Sequence, residues 1–243
     1  MLSHVVESAH GPLLVYDWES GELVRTASAA RTDPASAFMR FKALPLATLA
    51  RALSAVFRVH SQVCARGWVA CDFYDGALMS HFETHALKLV DLDMYHEGPF
   101  INDKGRMFGS DRFMAPEEFE LGARIDEKTT VFTMGRCITV FLGERDPRSN
   151  PAALLDMLEV GKRACQAERE QRWPSMGEFY EAWLAAIQGL SRATLWPRTR
   201  ARSTAARRRG SAVRHGLAAA PLARDELAPE ILLCRERVVR RAT

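Results

Sequence analysis

Residues 88–117 constrain this chain more than any other stretch. Lys88-Leu89-Val90-Asp91-Leu92-Asp93 reads as a short apolar strand that ends in two acids. An acid pair alone says little, since Asp-rich turns are common at strand ends. About twenty residues on, Gly109-Ser110-Asp111-Arg112-Phe113-Met114-Ala115-Pro116-Glu117 closes the stretch. Its order of glycine, hydroxyl, aromatic, Met, Ala, Pro and Glu is hard to assemble by chance. Between the two, Gly98-Pro99 and Asn102-Asp103-Lys104-Gly105 are loop signals that predict a mobile connection.

Together the motifs resemble the activation segment of a protein kinase. Asp91-Leu92-Asp93 stands where that family carries Asp-Phe-Gly, and Met114-Ala115-Pro116-Glu117 matches its Ala-Pro-Glu motif. The overall pattern is similar to that of bacterial serine/threonine kinase-like proteins. The resemblance runs through about residues 1–190 in the family's order. It implies an α+β protein kinase-like fold, mainly the helical large lobe with a stub of the small β lobe. The implied division is a small-lobe remnant and hinge at 1–25, a large lobe at 26–190 and a basic tail at 191–243. The cofactors implied are ATP and Mg²⁺, and the partner implied is a protein substrate or binding partner.

The rest of the chain follows that order. His10-Gly11-Pro12 is a turn signal between two short apolar runs, so residues 1–25 read as a hairpin with a polar connector. By resemblance, Val15, Tyr16, Asp17 and Trp18 are the hinge that faces adenine. No Gly-rich loop or phosphate lysine is found ahead of them, which leaves either a protein without these parts or a start inside a longer reading frame. Asp33-Pro34 marks a helix start. Leu46, Leu49, Leu53, Val56, Phe57, Val63 and Cys64 recur at helical steps, so 44–66 is expected to be a helix that Gly67 ends. His60 lies in it and is expected to be a packed residue.

Ala70-Cys71-Asp72 aligns with the family's His-Arg-Asp, which makes Asp72 the implied base that accepts the proton of the attacking hydroxyl. Ala77 falls where the family has a metal-binding Asn. Asp91 is then the implied principal magnesium ligand. Asp75 and Asp93 are the candidates to supply the oxygen that Ala77 lacks, because Mg²⁺ takes oxygen ligands. Ser110 stands at the activation-segment hydroxyl that touches the catalytic Asp, or is a plain turn residue. Thr130 stands where the family braces the catalytic loop with Asp.

Glu117 is expected to pair with Arg172, which sits in an Arg-x-Pro-Ser context, as a structural ion pair. Glu118 to Leu121 reads as helix-forming, as do 129–142, 151–171 and 175–189. Ser175 with Glu178 is a capping box at the start of the last.

Composition excludes some classes. Hydrophobic residues make up 47% of 243, enough for a sizeable core. No apolar run of about 18 residues predicts a membrane span, and no signal peptide is read at the N-terminus. Five cysteines, an odd number without metal-type spacing, fit a reducing cytosol better than a disulfide framework. The net charge of +3 is uneven. Thirteen Arg against four acids give the segment from Ser191 a charge of +9, which leaves residues 1–190 at −6. The basic character therefore belongs to the tail, read as a disordered appendage, and is not taken as a nucleic-acid signal.

Two functions stay open. One is an ATP-dependent phosphotransferase that moves the γ-phosphoryl group to a protein hydroxyl. The other is a catalytically silent binding module of pseudokinase type. A small-molecule kinase, suggested by Asp93, is disfavoured by the Ala-Pro-Glu segment.

Overall fold

The computed structural model describes residues 2–9, 11–18, 20–146 and 151–190. The expected basic tail lies outside the described residues. Within them the chain is α+β, with helices packed together and four small antiparallel sheets.

Strands β1 (Leu2–Ser8) and β2 (Gly11–Tyr16) form a hairpin in which Ser8 pairs with Gly11. Gly11 takes φ 108°, a conformation that glycine adopts at little cost. The hairpin is a sheet of its own, and Val5, Val6 and Leu13 are exposed on it. Strand β3 (Glu22–Leu23) instead joins the main sheet. Helix α1 (Ala37–Lys42) is capped by Ser36, whose Oγ accepts from Met39 N at 3.2 Å. The expected start at Asp33-Pro34 is a turn just before it, closed by Ala35 N donating to Asp33 Oδ1 at 2.9 Å.

Helix α2 (Leu46–Cys64) is the central rod. Its apolar stripe of Leu49, Leu53, Val56 and Phe57 is fully buried. Gly67, at φ 82°, carries the chain away from its end. Strands β4 (Trp68–Val69), β5 (Leu78–His81) and β6 (Ala86–Leu89) follow. Strands β5 and β6 pair tightly, with Leu78 opposite Leu89, and β3 adds to the β5 edge.

The stretch read as a loop holds two short strands, and a third follows it. Strand β7 (His96–Glu97) pairs with β4, and β8 (Phe100–Ile101) pairs with β9 (Arg124–Ile125). Buried Asn102 ties the bend between them. Its Nδ2 donates to Gly105 O at 2.5 Å, and its Oδ1 accepts from Lys104 N at 3.0 Å. Residues 116–119 form a short 3-10 turn rather than a helix through Leu121.

Helix α3 (Glu127–Leu142) starts at an Asp126 cap, whose carboxylate accepts from Lys128 N at 2.9 Å. Helix α4 (Pro151–Ala164) lies along α3. Gly135 and Gly161 let the two backbones approach, since a Cβ on Gly135 would stand 2.5 Å from Ala164 Cβ. The helix stops short of residue 171 because Arg172 needs the next turn. Its Nε donates to Gln166 O at 2.8 Å and its Nη2 to Ala167 O at 3.1 Å. Helix α5 (Met176–Ala186) begins at Ser175, whose Oγ accepts from Glu178 N at 3.1 Å.

The core joins α2, α3 and α5. Phe57 stands edge-to-face against both Phe179 and Trp183, each at 5.0 Å between centroids. Trp183 Nε1 donates to Ser54 Oγ at 2.8 Å, so its one polar group is not stranded in the core. Each such side chain contributes about 1.5–3 kcal/mol by burial.

Candidate active site

The β5–β6 hairpin positions the acids. Asp72 precedes its first strand and Asp91 follows its second. Val90 N donates to Ala77 O at 3.0 Å, which carries the ladder one step past β6 and draws the two ends together. Both acids adopt left-handed backbone, φ 56° at Asp72 and φ 59° at Asp91. A non-glycine residue pays roughly 1 kcal/mol or more for this.

The carboxylates interact. Burial pushes the Asp72 pKa up, and the charges of Asp91 and Asp93 push it further, against the pull of Arg25. Burial likewise raises Asp91, as does its hydrogen bond with Asp93, which places these two carboxyls within reach of each other. The structure therefore brings Asp72, Asp91 and Asp93 into one neighbourhood. Asp75 has another partner. It is 1% exposed and its Oδ2 accepts from Arg112 Nη2, so it stands as half of an ion pair beside the site. A cation on Oδ2 would have to displace that guanidinium, whereas Oδ1 is buried and has no hydrogen-bond partner among the described residues.

The segment at 109–112 begins beside Asp72. A Cβ on Gly109 would lie 3.7 Å from Asp72 Oδ1, so the backbone here runs directly past that carboxylate. Ser110, half-buried, follows it, and its carbonyl accepts from Phe113 N at 2.8 Å. Arg112 reaches Asp75, while Arg136 Nε holds the Arg112 carbonyl at 2.7 Å. An open cleft of about 360 Å³ lies in front, lined by Asp72, Tyr74, Asp75, residues 108–112, Arg25, Ser28 and Arg31. That is at the small end for a ligand site.

The cleft does not include the expected adenine-facing stretch. Val15, Asp17 and Trp18 are absent from its lining, Trp18 is 94% exposed, and Tyr16 closes β2. The hairpin that carries Val15 and Tyr16 is a sheet of its own.

The loop carrying Asp72 is braced from behind. Thr130 Oγ1 accepts from Ala70 N at 3.0 Å, with both groups buried. A threonine thus supplies a bracing acceptor at the position read as having lost its Asp. His60 supports the same loop. Its Nδ1 donates to Val56 O at 2.8 Å, which leaves Nε2 to accept from Tyr95 Oη at 2.6 Å. Burial pushes its pKa down to about 4, and its ring packs edge-on against Phe73.

Glu117 and Arg172 meet in a buried, two-pronged pair, Oε1 to Nη1 at 2.7 Å and Oε2 to Nη2 at 3.0 Å. Burial opposes the charge on Glu117, but the hydrogen bonds and charge of Arg172, with the Thr129 hydroxyl, hold its pKa below the ordinary value. Two participants escaped the sequence reading. Arg169 bonds Glu117 as well, and reaches Asp126 Oδ1 at 2.6 Å. Glu118 is 3% exposed, accepts from Ala115 N at 2.6 Å and is pushed up to about 7, chiefly by burial. Its adjacency to Glu117 and the Pro116 that precedes it were visible. The turn that buries both carboxylates was not.

No protein-family model and no curated protein matches this chain.

Proposed function

We propose that the chain is an ATP-dependent phosphotransferase of the serine/threonine protein kinase-like type, acting on a protein hydroxyl. The observation that carries this reading is Asp72, which feels the charges of Asp91 and Asp93 on one side and has the Gly109 backbone running past it on the other. The buried Glu117–Arg172 pair at the end of the same segment supports it.

Among the described residues no three His, Cys, Asp or Glu side chains form a metal cluster. Mg²⁺ does not require one, since it is held through one or two carboxylates plus phosphate oxygens. Asp91 and Asp93, two exposed and mutually repelling carboxylates, fit that demand. When bound there, the ion would supply neutralisation of phosphate charge. Asp72 has the part of the base. A pKa raised above the ordinary aspartate value makes its carboxylate a better proton acceptor for a hydroxyl presented past Ser110. Thr130 and the His60–Tyr95 pair hold its loop in place. A cytoplasmic location goes with this reading. Among the described residues no helix is long and apolar enough to cross a membrane.

The second reading, a catalytically silent binding module, is favoured by two observations. Ala77 is buried and brings no oxygen, and Val15, Asp17 and Trp18 stand away from the cleft. Transfer of label from γ-³²P-ATP with Mg²⁺ to a mixed serine/threonine peptide library separates the two. The enzyme reading expects incorporation that falls at least about a hundredfold in Asp72→Asn and is abolished in Asp91→Ala. No incorporation by a folded wild-type chain would leave the binding module.

A further inference from the structure

The cleft beside Asp72 has a charge pattern that the transfer reaction does not require. Three arginines and three aspartates line it. Two of the acids are already neutralised: Asp75 by Arg112, and Asp111 by Arg106, whose Nη2 donates to its Oδ1 at 2.5 Å. What remains is Asp72, with Arg25 acting on it and Arg31 lining the same cleft. Arg25 Nη1 donates to the Tyr74 hydroxyl at 3.3 Å, and its charge acts on Asp72 without forming an ion pair. Arg31 Nη2 donates to Ser28 Oγ at 3.1 Å, while its Nε is buried with no acceptor. Neither guanidinium has a carboxylate partner among the described residues. A buried, unsatisfied N–H on a charged group costs free energy until an acceptor arrives.

The location says which side of the reaction this charge serves. The lining contains Asp72 and residues 108–112, but neither Asp91 nor Asp93, and none of Val15, Asp17 and Trp18. These two guanidinium groups, each bonded only to a hydroxyl among the described residues, therefore stand with Asp72 and residues 108–112, not with Asp91 and Asp93.

We propose that Arg25 and Arg31 form a subsite for an acidic acceptor: a peptide whose Ser or Thr is flanked by Glu or Asp. The proposal rests on the phosphotransferase reading for the word acceptor, but not for the binding itself. With its hydroxyl at Asp72, such a peptide sets a flanking carboxylate against Arg25 or Arg31. Guanidinium groups match carboxylates through paired N–H donors. The peptide's negative charge meets a cleft whose uncompensated groups sum to one positive charge. A basic acceptor would meet those arginines with like charge and leave the Arg31 N–H unsatisfied.

The test uses the full chain and three fluorescein-labelled peptides, identical apart from Glu, Ala or Lys around one serine. Binding is read by anisotropy at low salt, and transfer by γ-³²P-ATP on the same peptides. The Glu peptide is expected to bind on the order of tenfold more tightly than the Ala peptide, with the Lys peptide weakest. Arg25→Glu/Arg31→Glu is expected to erase or reverse that order. Arg25 is exposed and Arg31 partly so, and far-UV circular dichroism checks that the variant is folded. Glu-peptide binding that depends on both arginines, without transfer, supports the subsite and removes the phosphotransferase. Transfer that is indifferent to flanking charge keeps the phosphotransferase and overturns the subsite. Binding of the Glu peptide that the double variant leaves unchanged also overturns it.

Discussion

Arg172 is 1% exposed, yet it spends all its donors on Glu117, Lys128 O, Gln166 O and Ala167 O. Removing it strands a buried carboxylate. Arg172→Ala is expected to cost about 3–5 kcal/mol, read as a lowered urea midpoint. Arg169→Ala should cost less, about 1 kcal/mol, because its side chain is partly exposed and Arg172 still neutralises Glu117. Equal losses in the two variants would mean that the pair is not the anchor described. Arg172 was legible beforehand from its Arg-x-Pro-Ser context. Arg169 was not, because only the turn after α4 brings it round to Glu117. Nor was the partner of Asp75 legible: Arg112, whose Nη2 donates to its Oδ2, stands 37 positions later in sequence.

At the scale of elements, the α3–α4 seam depends on two glycines that read locally as weak helix formers. A Cβ at Gly135 would meet Ala164 Cβ at 2.5 Å, Cys165 Sγ at 2.9 Å and Gly161 O at 3.0 Å. Gly177, in the first turn of α5, is exposed and its added Cβ would meet only Ser175 Oγ, at 3.6 Å. Intrinsic propensity alone favours Ala at both by up to about 1 kcal/mol. Gly135→Ala is instead expected to destabilise by about 1–2 kcal/mol through overpacking, while Gly177→Ala stabilises. Calorimetric melting of both variants checks the opposite signs. Much of the helical part was legible: α2 lies within two residues of where its periodicity put it, and α5 starts at its expected Ser175 cap and ends three residues early. The 94–126 stretch was not, because its pairing partners, β4 and β9, are distant or too short to show a period.

At the scale of the molecule, stability is divided between opposing buried groups. Glu118 has a folded pKa of about 7 against an ordinary 4.5. Its protonated form therefore contributes stability that is full below pH 4.5 and lost as pH rises through 7. His60 works the other way. Its folded value of about 4 lies below the ordinary 6.5, so its contribution is present above pH 6.5 and lost as pH falls toward 4. Glu118→Gln removes only the first effect and keeps an acceptor for Ala115 N. The variant should gain on wild type as pH rises from 5 to 8, by up to roughly 3 kcal/mol. Melting temperatures of the two proteins across that range are the check. A constant difference would show that Glu118 is not titrating in the folded chain.

The sequence by itself determined α2, the β1–β2 hairpin and the start of α5 at Ser175, because each is written in local periodicity, turn residues or a cap, while Asp72 and Asp91 were singled out through a resemblance. It also named Glu117 and Arg172 through the motifs that hold them. Only the tertiary structure decided which charges are compensated: Asp75 bound by Arg112, Asp111 by Arg106, and Arg25 and Arg31 left in the cleft with Asp72 and with no carboxylate partner among the described residues. Compensation depends on distances between residues far apart in the chain, and on burial, which sets how strongly each pair interacts. Neither quantity has a local signature in the order of amino acids.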